Sequence, residues 1–141
     1  MIKEAIHALI IADSDITDLL ATFEFTTGVS SPAVFTTDVI PSDAENPAIR
    51  IDAQGGPSWG SWGQGGGEST GVVEVFGDKE TNANDLLVIA RKIKELLYRN
   101  EISVTGYEDA GLYADEPIKF TDPEGYPGYR VPYRSNYLKD A

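Results

Sequence analysis

The stretch from Gly71 to Tyr107, GVVEVFGDKETNANDLLVIARKIKELLYRNEISVTGY, decides the fold. Val72 to Phe76 is a short β-branched run and reads as a strand. Thr81 to Arg99 reads as a helix: Leu86, Ala90, Ile93 and Leu97 centre one apolar stripe, and Ala83, Ile89 and Leu96 widen it. Asn82 is placed to cap its N-terminus, with Asp85 in the first turn and Arg91, Lys92, Lys94 and Arg99 in later turns, which suits the helix dipole. Ile102 to Tyr107 then reads as another strand. A strand, one long helix and a strand predict an α+β layer: a mostly antiparallel sheet with helices packed on one face.

Working outward, Pro47 to Ala53 alternates Ile49, Ile51 and Ala53 with Arg50 and Asp52, the pattern of a sheet with one buried face. Ala33 to Ile40 is predicted to be a strand, and Thr26 to Pro32 a loop. At the N-terminus, Ile2, Ala5, Ile6, Leu9 and Ile10 mark a helix, ended near Asp13-Ser14-Asp15. A second short helix is predicted to follow, with Ile16, Leu19, Leu20 and Phe23 inward. Beyond the long helix, Gly111 to Gly128 reads as irregular. Tyr129 to Tyr137 reads as a strand that Pro132 confines to an edge or a bulge. The 141 residues are expected to form one domain, 1–141.

Two features stand apart. Gln54 to Gly71 holds eight of the fourteen glycines together with Trp59 and Trp62. It is expected to be a mobile hairpin loop at about 54–71, whose tryptophans either fold back on the sheet or anchor a partner. Six of the seven tyrosines lie between Tyr107 and Tyr137. Tyrosine combines buried area with a hydrogen-bonding tip, so Tyr129, Tyr133 and Tyr137 join Trp59 and Trp62 as candidate protein-interface residues.

Charge and composition narrow the function. The net charge is −12, with 11 basic and 23 acidic residues. Residues 1–78 carry two basic against twelve acidic groups, whereas 79–141 carry nine against eleven. Nucleic-acid binding and anionic membrane surfaces both call for the opposite sign. No run of ~18 apolar residues occurs, and the first residues make a poor secretory signal because Glu4 offsets Lys3. Cysteine is absent, which excludes disulfides, thiol catalysis and thiolate metal sites and makes the cytosol the default compartment.

The motifs that suggest chemistry are weak. His7, the one histidine, sits on a helix flank with no identifiable nucleophile. Gly65-Gly66-Gly67 is followed by Glu68 and a strand, where a phosphate loop needs a Lys and a helix. Asp13, Asp15, Thr17 and Glu24 match EF-hand ligand positions, but Asp18 stands where the loop requires Gly, and helix capping accounts for the acids. Glu108-Asp109 and Asp115-Glu116 read as solvated charge. No catalytic residue, cofactor site or metal site is expected.

The order of elements carries a resemblance. A short N-terminal helix pair (Ile2-Lys3-Glu4-Ala5-Ile6, then Asp15-Ile16-Thr17-Asp18-Leu19-Leu20) precedes Asn46-Pro47-Ala48-Ile49-Arg50-Ile51. Then come Val72-Val73-Glu74-Val75-Phe76-Gly77 and Leu86-Leu87-Val88-Ile89-Ala90-Arg91-Lys92-Ile93. Over most of the chain this is similar to the tail-terminator, or tail-completion, proteins of long-tailed bacteriophages and related particles. The resemblance implies a non-enzymatic virion protein of the tail or neck, assembled in the host cytoplasm. Such a protein forms a cyclic homo-oligomer, commonly a hexamer, that caps the tail tube and joins it to the head connector or stopper. Its implied partners are other copies of itself, the tail tube protein and the connector. The alternatives are another neck protein or a soluble acidic ligand-binding module.

Overall fold

The computed structural model describes residues 2–37, 40–41, 43–54, 58–61, 64–98, 101–102, 110–123 and 125–138. Three helices occur among the described residues: α1 (Ile2–Ile11), α2 (Ser14–Thr17) and α3 (Ala83–Leu97). The strands before α3 are β1 (Thr22–Thr26), β2 (Val29–Pro32), β3 (Val34–Phe35), β4 (Ala48–Gln54), β5 (Ser58–Ser61) and β6 (Gln64–Phe76). Those after it are β7 (Glu101–Ile102), β8 (Ala110–Ala114), β9 (Ile118–Thr121) and β10 (Pro127–Leu138). The main sheet runs β3-β4-β6-β10-β8-β7, with β5 also on β6 and β9 also on β10. Only β3 runs parallel to its neighbour, so the architecture is the expected α+β layer.

The helices share one face of this sheet because the strands alternate. Ile49 and Ile51, Val73 and Val75, and Val131 and Tyr133 point into one cluster with Ile6, Ile10, Ile16, Leu86, Ile89, Ala90, Ile93 and Leu97. The predicted stripe of α3 is buried as read, while Val88 on its other side is 48% exposed. Asn82 caps α3, accepting the Asn84 N–H at 2.9 Å.

Several local expectations are corrected. The second helix is a single turn, capped by Asp13, which accepts from Asp15 and Ile16 N–H at 3.0 and 3.3 Å. Leu19 follows the end of that turn, so the helical period no longer aims it inward, and it is 42% exposed. Phe23 belongs instead to a hairpin. Thr26 pairs with Val29 across Thr27-Gly28, where Gly28 has φ +83° and the Glu24 carboxylate accepts its N–H. Of the expected Ala33–Ile40 strand, the described residues form a strand at Val34–Phe35 and 38–39 lie outside them; Lys3 Nζ donates to the Thr36 carbonyl at 3.2 Å.

The expectation that Gly111–Gly128 is irregular also fails, because β8 and β9 occupy it. These two strands put β10 in the sheet's interior rather than at its edge. Pro132 is tolerated there for a geometric reason. Its carbonyl accepts the Asp115 N–H at 2.9 Å, so its nitrogen faces the same side, where the chain passes from β8 to β9 and no ladder partner is required. The opposite side keeps an unbroken ladder with β6, Pro132 facing Val72.

The glycine-rich segment is not a loop where it is described. Ser58–Ser61 pairs with Gln64–Gly67, and β10 continues along the far side of β6 to Leu138, which faces Gly66. The segment thus prolongs the sheet as a ribbon.

Candidate functional site

The candidate interface residues are placed by the strands that carry them. Trp59 lies in β5 opposite Gly66, and Tyr137 lies in β10 opposite Gly67. Trp62 falls outside the described residues. Tyr129 is half-buried and packs on the core. Tyr133 is a correction: it is 3% exposed and belongs to the core. Its hydroxyl donates to the Asp52 carbonyl at 2.8 Å. Burial, with the Asp52 charge adding to it, pushes its phenol well above the ordinary value. Gly71 makes room for it: a Cβ there would run into the Asp52 carbonyl and the Tyr133 ring.

The helix-free face of the sheet carries the chemistry that sequence reading missed. The register β4-β6-β10 aligns Arg50, Glu74 and Arg130 in one row. Glu74 is 3% exposed and held from both sides. Arg50 pairs with its Oε1, with Nε at 3.1 Å, and Arg130 Nε reaches its Oε2 at 2.9 Å. Arg130 also stacks over Phe120 at 4.5 Å, and Phe120 meets Phe76 edge-on at 5.4 Å. This row borders an open hollow of about 670 Å³ lined by Asn46, Arg50, Glu74, Phe120, Asp122 and Arg130. The carboxylates around it are engaged: Asp78 accepts from Asn46 at 3.0 Å and Asp122 from the Tyr126 N–H at 2.8 Å. Two guanidiniums on one acid, one of them stacked on an aromatic ring, hold the row in one fixed geometry.

The remaining candidates are placed simply. His7 borders a small recess of about 280 Å³ with Ile11, Phe25, Ser31 and Pro32. Glu116 pairs with Lys94 at 2.5 Å, while Glu108-Asp109 lies outside the described residues. At the far end of the molecule Phe23, Phe25 and Phe35 form an aromatic trio with centroids 4.9–5.2 Å apart. No described helix is long and apolar enough to cross a membrane.

Against known proteins, no family model matches and no curated protein matches. Among solved structures, the chain is similar to one chain of "Virion of native gene transfer agent (GTA) particle". The TM-score is 0.73 with 14% identity, and the likeness covers 96% of this chain and 93% of that one. The fold is one found in a virion particle. It is shared almost end to end while few residues are, so the likeness lies in the arrangement of elements.

Proposed function

We propose that this chain is a virion structural protein and, within that class, a tail-terminator subunit. Copies form a ring, commonly of six, on the end of the tail tube, stop its growth and present a surface to the head connector. The observation that carries this reading is the near full-length likeness to a chain of a virion particle. The order of elements that resembles tail terminators supports the finer role. A fold kept at 14% identity suits a protein whose work is done by shape and surface rather than by fixed reacting groups.

The test is to delete the gene in the strain that makes the particles and to locate the chain by immunogold electron microscopy. Label at the neck of intact particles, with tubes growing beyond normal length in the deletion, is the expected result. Label at the neck with tubes of normal length moves the chain to a connector or stopper. Particles without label and unaffected by the deletion overturn the virion reading and leave a binding module.

A further inference from the structure

The main sheet and its attached hairpin end in two short borders of opposite character. At one end, the β1–β2 hairpin joins the sheet through its base: Ala21 N–H donates to the Pro47 carbonyl at 3.0 Å, and the Ala33 carbonyl accepts from Ile49 at 2.8 Å. Beyond that base, β1 (Thr-Phe-Glu-Phe-Thr) pairs only with β2 among the described residues. At the other end, β9 (Ile-Lys-Phe-Thr) pairs only with β10 among the described residues. Among the described residues, each leaves one row of backbone N–H and C=O groups open to another strand.

The two borders are guarded differently from an inert edge. β2 ends at Pro32, which lacks a donor, whereas β1 carries no Pro and no Lys. It exposes Glu24 and leaves Phe25 48% exposed. β9 lies between Pro117 and Pro123 and exposes Lys119, with Ile118 56% exposed. A lysine in a short edge strand repels indiscriminate pairing but accepts a strand that brings an acid to face it.

We infer that β1 of one copy adds to β9 of the next, with Glu24 opposite Lys119, so that the sheet continues from subunit to subunit. With that pair in register, Phe23 and Phe25 fall beside Phe120 and Ile118, and threonine meets threonine at an end. Four of the five β1 positions then have a favoured cross-strand partner, and Thr26 lies beyond the end of β9. The acidic charge at one border and the basic charge at the other select a second copy as occupant. One Glu24 carboxylate oxygen caps the Gly28 N–H, and the other is left for the neighbour's ammonium. Because the two borders are different strands, β1 beside the start of β4 and β9 on the side of β10 away from β6, the contact is head-to-tail and propagates in one sense, closing into a ring or extending as a filament. This inference rests on the ring reading above and names its contact.

The experiment is sedimentation velocity over a concentration series for the wild type, Glu24→Lys, Lys119→Glu, the double variant and a 1:1 mixture of the two single variants. Each single variant sets like charges face to face and is expected to weaken self-association at least ~10-fold. The double variant and the mixture restore opposite charges at every contact and are expected to sediment as the wild type does. Recovery in the mixture also shows that each single variant is folded, and Glu24→Gln, which keeps an acceptor for the turn, is expected to weaken association less than Glu24→Lys. Single variants that associate like an oligomeric wild type overturn this contact and leave the ring reading standing. A wild type that stays monomeric throughout overturns the contact between copies, and the role at the tail end is then judged by the immunogold result alone.

Discussion

The two faces of β6 are built from the same alternating strand and do opposite work. Val73 and Val75 point to the helices and are fully buried with Ile93 and Leu86. Val72, Glu74 and Phe76 point the other way, where no helix covers them, and Glu74 is buried by two arginines and neighbouring rings instead. One face is held by area removed from water, which is non-directional and tolerant of sequence. The other is held by a charge row whose members are 24 and 56 residues apart and which works only in one register. The comparison teaches that the same ladder can specify apolar packing on one side and a single charge register on the other.

The sharpest break in that comparison comes from the covered face. Ile93→Ala removes a fully buried side chain between α3 and the sheet and is expected to cost about 2–5 kcal/mol in denaturant unfolding. Glu95→Ala, exposed on the same helix, is expected to cost under ~0.5 kcal/mol. Equal midpoints for the two would mean that the helix does not pack as described.

Next comes the open face. Glu74→Ala leaves two guanidiniums facing each other without their acid. Breaking a buried pair costs ~3–5 kcal/mol, but Arg50 and Arg130 are 20% and 49% exposed and can regain water, so about 1–3 kcal/mol is expected. Glu74→Gln, which keeps hydrogen bonding without the charge, is expected to lose less. A loss for Glu74→Ala no larger than that of Glu95→Ala would reduce the row to ordinary surface charge.

How much of this was legible in the sequence follows from the range of the interactions. The stripe of α3 and the alternation of Ile49, Ile51, Val73 and Val75 are local periods, so the helix-covered face could be read directly. The Arg50–Glu74–Arg130 row could not, because a single strand shows only that its polar positions face out, not which polar residue of another strand it meets. Pro132 misled for a related reason: a proline excludes a ladder bond on one side only, and the side is set by the register. Gly65 to Gly67 offered no apolar period, so their strand state rests on pairing with β5 and β10. The β1–β2 hairpin has a local signal: Phe23 and Phe25 alternate with Thr22, Glu24 and Thr26, and Thr27-Gly28 supplies the turn. Of the nominated interface residues, Tyr133 went to the core because Gly71 opposite it leaves space for the ring.

Tyr133 ties β10 to β4 across Gly71 of β6 on the covered face, since its ring is in the core and its hydroxyl donates to the Asp52 carbonyl two strands away. Tyr133→Phe keeps the ring and removes one hydrogen bond, an expected loss of about 0.5–1.5 kcal/mol at neutral pH. The pH dependence has a definite sign. The folded-state pKa is raised above the unfolded value of about 10, so the stabilisation is fully present below that value and is lost as pH rises beyond it. The wild type is therefore expected to lose stability between pH 10 and 11 faster than Tyr133→Phe, as read by thermal unfolding. Parallel curves for the two proteins would show that Tyr133 is not held neutral by the core.

The smallest effect sharpens the comparison at a single surface pair, whose carboxylate is largely in water. Lys94 follows Ile93 in α3, yet its ammonium meets Glu116 at 2.5 Å on the surface, with the two side chains 28% and 74% exposed. The hydrogen bond from Lys94 holds the Glu116 carboxyl below its ordinary value, and the same bond holds Lys94 above its own. The carboxylate's share of the stabilisation is present above the ordinary glutamate range and is lost as pH falls through its lowered folded value. The ammonium's share is present below the ordinary lysine range and is lost as pH rises through its raised folded value. The pair thus acts across the neutral range and is screened by salt, unlike the half-sheltered row around Glu74. Glu116→Gln leaves the helix untouched and is expected to lower the melting temperature least of these variants, with the difference vanishing in 1 M NaCl. A Glu116→Gln deficit that persisted at high salt would mean that this pair, like the one at Glu74, is held out of water.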